Sequence, residues 1–89
     1  MSKSKKAVSK MVDCFAEELE QRFAGLSFAP VLDPEDGNDA WLYAYVPNDS
    51  TLSEDEVLEF ARQIEDRLWR ESSVSIVPMI RKQKEPVHG

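Results

Sequence analysis

One cysteine, one histidine and three glycines are all that this chain of 89 residues holds of those types. The single cysteine, Cys14, excludes an internal disulfide framework. With His88 the sole histidine, no His/Cys spacing of a zinc site exists. Nor does any histidine fall in an ordered element to activate Cys14 as a nucleophile, so Cys14 reads as a small, semi-buried residue beside an apolar helix stripe. Gly25, Gly37 and Gly89 lie far apart, and no phosphate-cradling loop can be assembled from them. No apolar run approaches the ~18 residues that span a bilayer, and the start lacks the apolar segment of a secretory signal. These absences lead to the expectation of a soluble cytoplasmic domain without cofactor, metal or small-molecule substrate, and without catalytic activity.

Basic residues are scarce in the body of the chain. Four lie within residues 11–80 against sixteen acids, a net −12 there, while the whole chain carries −6 because lysines and one arginine gather at both ends. Duplex nucleic acid, whose affinity rests on phosphate neutralisation, is disfavoured by such a body. A protein partner fits it better. The chain is short enough that only about 60% of its unfolded surface is buried on folding, so its core is small and self-association would support it.

What is present is clear periodicity. Val8, Met11, Val12, Phe15, Leu19, Phe23 and Leu26 recur at helical spacing, which predicts a helix over about 7–24, with the early lysines opposing its dipole and Gly25 as a stop. Phe28–Leu32 reads as a strand interrupted by Pro30, which argues for an edge position. Ala40–Val46 reads as a second strand, closed by Pro47 and Asn48. Ser53 with Glu56 is a capping box, and Leu52 with Val57 a hydrophobic staple. They predict a second helix over about 54–71 with the apolar face Val57, Ala61, Ile64 and Leu68, flanked by Leu58, Phe60 and Trp69. An Asp66–Arg70 pair is expected on its outer face. Ser72 and Ser73 form the exit, and Val74–Ile80, β-branched and carrying Pro78, is the third strand.

The order is α-β-β-α-β in a single domain, 1–89, with an ordered core of about 7–81 between polar tails 1–6 and 82–89. The expected fold is an α+β two-layer sandwich, a three-stranded, mainly antiparallel sheet with both helices on one face and a right-handed crossover to the third strand. Two strand orders fit: strand 3 beside strand 1, all antiparallel, or strand 3 beside strand 2 and parallel to it.

The stretch Val31–Val46, VLDPEDGNDAWLYAYV, joins an acidic loop to an aromatic strand. With Gly37 at the sixth position of a calcium loop, the ligand positions fall on Leu32, Pro34 and Tyr43, and only Asp36 fits. The loop is therefore a turn, for which Asp, Pro, Gly and Asn are suited. Trp41, Tyr43 and Tyr45 project from one face of the strand and Leu42, Ala44 and Val46 from the other. If the helices cover the smaller side chains, the aromatics form an open patch to which strand 3 adds Val77 and Met79, or Ile76 and Ile80 in the opposite phase. Such patches mark interaction surfaces. Trp41, Tyr43, Tyr45 and Met79 are thus the candidate contacts of a protein-interaction or accessory module, meeting a protein partner or a second copy as a homodimer. The element order also resembles one class of KH domain, which implies single-stranded RNA binding through the aromatic strand and basic tails. The GXXG loop of that family is absent here.

Overall fold

A computed structural model describes residues 4–48 and 51–83. The terminal residues that complete the expected basic tails, with Lys3, Lys84 and His88, lie outside the described residues. Helix α1 runs Lys5–Arg22 and starts two residues before the periodicity implies, because Ser4 supplies a cap: its hydroxyl accepts from the Ala7 N–H at 3.1 Å. Phe23 closes the helix by donating its N–H to the Leu19 carbonyl, and Gly25 follows at φ 93°, where a side chain would be strained. Strand β1 is Ser27–Leu32 and β2 is Ala40–Val46. Helix α2, Glu54–Ser72, carries the anticipated cap: Ser53 Oγ accepts from the Glu56 N–H at 3.1 Å, and Glu54, Asp55 and Glu56 occupy the first turn. It ends on Ser73 in the left-handed region, φ 57° and ψ 28°. Strand β3 is Ile76–Lys82, two residues later at both ends than expected. Val74 is buried in the connection instead.

The sheet is mixed. Its order is β1-β2-β3, with β1 and β2 antiparallel and β2 and β3 parallel: of the two orders that fit the sequence, the one with strand 3 beside strand 2 is formed, and the sheet is mixed rather than purely antiparallel. The reason lies in the prolines taken together. A three-stranded sheet has two edges, and the strands holding Pro30 and Pro78 occupy both, which leaves proline-free β2 in the centre. Both prolines pair with Leu42, one from each side. The Ala40 N–H donates to the Ser75 carbonyl and the Gln83 N–H to the Val46 carbonyl. That phase turns the peptide groups of Val77, Met79 and Arg81 towards β2 and the Pro78 nitrogen outwards, and it makes Pro30 and Leu42 a non-hydrogen-bonded pair.

Both helices pack on one face of the sheet. Val8, Val12, Phe15 and Leu19 from α1 meet Val57, Ala61, Ile64 and Leu68 from α2, over Ala40, Leu42, Ala44 and Val46 of β2 and Ile76 and Ile80 of β3. Each large side chain so buried contributes about 1.5–3 kcal/mol. The two helices are also joined by an edge-to-face contact of Phe23 and Phe60, centroids 5.7 Å apart, and by an ion pair of Arg67 with Glu18. Asp66 and Arg70 form the expected pair at 3.1 Å, and Trp69 is more than half exposed. Cys14 is exposed rather than semi-buried. At 100° per residue it stands roughly 130° round the helix from the centre of the apolar stripe.

Candidate functional site

Strict alternation on β2 buries Ala40, Leu42, Ala44 and Val46 and leaves Trp41, Tyr43 and Tyr45 half-buried on the opposite face. No helix or strand among the described residues lies over that face. Register places its side chains in three rows across the strands: Val31, Trp41 and Val77; Ala29, Tyr43 and Met79; Ser27, Tyr45 and Arg81. The rows grade from apolar, beside the β1–β2 turn, to polar at the far end. The Tyr43 and Tyr45 rings are stacked, 6.3 Å between centroids and 13° between planes. Tyr45, Arg81, Lys82 and Gln83 line a shallow open cleft at the polar end.

All four sequence-derived contacts, Trp41, Tyr43, Tyr45 and Met79, are on this one face, and β3 takes the phase that adds Val77 and Met79. Sequence reasoning missed the contribution of β1, Ser27, Ala29 and Val31, and that of Arg81. Their positions follow from register, which alternation on a single strand does not reveal.

The acidic turn serves the face directly. Asp36 accepts the Asn38 backbone N–H at 3.1 Å on Oδ1, closing an Asx turn, and on Oδ2 the Asn38 side-chain amide at 2.8 Å and the Trp41 indole N–H at 2.9 Å. Desolvation works to raise the Asp36 pKa, but the hydrogen bonds from Asn38 and Trp41 together outweigh it and hold the carboxyl below the usual aspartate value. Asp39 ties the same turn to β3. Its Oδ2 accepts the Ser75 N–H at 2.8 Å while its own N–H donates to the Ser75 carbonyl at 3.0 Å. Ser75 Oγ also bonds Asn38 Oδ1 at 2.5 Å. Asp36 and Asp39 thus have structural partners, and no trio of His, Cys, Asp or Glu among the described residues is gathered as a metal site. No described helix is long and apolar enough to cross a membrane.

No protein-family model, curated protein or solved structure matches the chain.

Proposed function

We propose that the chain is a non-catalytic protein-interaction module that self-associates through the open sheet face. The observation that carries this reading is the central aromatic column Trp41, Tyr43 and Tyr45, flanked in register by Val31, Val77 and Met79, with no helix or strand of the described residues above it. Tyr, Trp and Met are the residues enriched at interface cores. A sheet can also associate through its edges, but here each edge strand carries a proline, which removes one ladder donor at mid-strand. The face is then the larger continuous surface on offer. A domain of this size also gains most from a second copy, since its own core is small.

Sedimentation from micromolar to millimolar protein tests the reading. The wild type should rise towards twice the monomer mass, and Trp41→Ala with Tyr43→Ala should stay monomeric with its helical CD intact. Met79→Lys, on an edge strand, is a second disrupting variant that spares the central column. A wild type that stays monomeric, or variants that associate like it, would overturn the proposal. Salt-sensitive binding of a single-stranded RNA oligonucleotide, lost when Lys3, Lys5, Lys6, Lys82 and Lys84 are neutralised, would replace it with the KH-like alternative.

A further inference from the structure

The open face carries opposite charges at its two ends. At the Trp41 end stands the exposed Asp36 carboxylate, hydrogen-bonded to the indole. Four residues along the strands, about 13 Å away, stands Arg81 in the row of Tyr45. Among the described residues Arg81 bonds one backbone carbonyl, that of Ile80 at 3.0 Å, and it is exposed. Asn38 donates two hydrogen bonds to Asp36 and Trp41 one, and the carboxylate remains exposed.

A two-fold face-to-face dimer must use one patch twice, so the patch has to complement itself. Of the axes in the plane between the sheets, two keep the strands of both copies aligned, as in the aligned class of sheet packing. An axis along the strands sets each row on its own equivalent. It brings the Asp36 carboxylates of both copies to the same end and leaves Arg81 far from either. An axis across the strands, along the row of Ala29, Tyr43 and Met79, sets the first row on the third. Tyr43 then meets Tyr43, Trp41 meets Tyr45, and each Arg81 reaches the Trp41 end of the other copy.

We infer that two copies of this chain dock sheet face to sheet face about that second axis, with strands antiparallel and Arg81 of each copy against Asp36 of the other. This register rests on the self-association reading above and adds the pairing that orients it. The rows span about 14 Å across the strands and about 20 Å along them, roughly 300 Å² on each copy and about 600 Å² in the pair, below the size of stable specific interfaces. An interface this small is a weak one, and the dimer dissociates on dilution. Its charge pairs act mainly on orientation, because the like-charge alternative is penalised.

Charge reversal in trans is the test. Arg81→Glu and Asp36→Lys are made separately, their folding checked by far-UV CD, and their masses measured by sedimentation alone and mixed in equal amounts. Each variant alone faces two like-charge contacts and should self-associate at least ten-fold more weakly than the wild type. The mixture holds one native and one reversed pair in each heterodimer and should recover association to within about three-fold of the wild type; each factor of ten is 1.4 kcal/mol at 25 °C. If wild type and both variants dimerise alike, or the mixture fails to recover, this register is wrong while the face-mediated dimer stands. If the wild type is monomeric throughout, the self-association reading has failed, and the register with it.

Discussion

The indole Nε1 of Trp41 donates to Oδ2 of Asp36 at 2.9 Å, so the acid of the hairpin turn holds the first aromatic of the central strand. The carboxylate form makes this bond, and the fold keeps the Asp36 pKa below its ordinary value of 3.8. A depressed carboxyl contributes stability above its unfolded pKa and loses it as pH falls through the folded value. In a Trp69→Phe background, the Trp41 near-UV CD signal should therefore be constant above about pH 4 and decline below it. Asp36→Asn should remove that dependence while other carboxyls still titrate. A pH-independent Trp41 signal in the parent would contradict the coupling.

Glu65 has the opposite sign. Desolvation against the helix surface raises its pKa above 4.5, the Asp66 charge adds to this, and Arg62 offsets part of it. The charged form is thus disfavoured on folding, and the stability present at low pH is lost as pH rises through the raised value. Glu65→Gln should raise the thermal midpoint slightly at pH 7 and lower it or leave it unchanged at pH 3. The gain is small because Glu65 is only partly buried and keeps contact with water.

Ser73 adopts φ 57° at the end of α2, a conformation that glycine takes without penalty. Ser73→Gly relieves about 1–2 kcal/mol of strain and gives back about 0.4–1 kcal/mol through unfolded-chain entropy. The net is a stabilisation of about 0.5–1 kcal/mol, read from chemical denaturation. Gly25→Ala should do the reverse. The added methyl would stand 3.7 Å from Pro47 Cγ, an ordinary contact, so the backbone at φ 93° alone accounts for a loss of about 1–2 kcal/mol.

Leu42 is 1% exposed and sits at the level of both prolines in the centre of the sheet. Leu42→Ala leaves a cavity between strand and helices and should destabilise by about 2–5 kcal/mol. Phe15→Ala, at 0% exposure, should destabilise by about 3–5 kcal/mol. Against a domain stability of about 5–15 kcal/mol, either removes a large share of it, visible as a lowered denaturation midpoint.

Local chemistry was readable where one residue type does one job. The Ser53 cap, the bounds of Ala40–Val46, the four-residue face of α2 and the Asp66–Arg70 pair all follow from spacing alone, and the structure has each of them. Ser4 was overlooked because three nearby lysines argue against a helix start, whereas a hydroxyl cap outweighs them. Strand order was within reach. Pro30 points β1 to an edge and Pro78 points β3 to the other, and together they leave β2 for the centre. The clasp between Asp39 and Ser75 spans 36 residues of sequence and depends on strand order, so no local pattern announces it. The same holds for Arg81, which joins the aromatic face only once parallel pairing with Tyr45 is known.

The lone thiol of Cys14 stands on the solvent side of α1, across the molecule from the aromatic rows. A spin label or fluorophore attached there reports on the sheet-face dimer without touching it. With the sheets about 10 Å apart and a helix layer outside each, two such probes would sit about 40 Å from one another. Association through the helices instead would bring them much closer, so one labelled residue distinguishes the two sides of the molecule by a ruler alone.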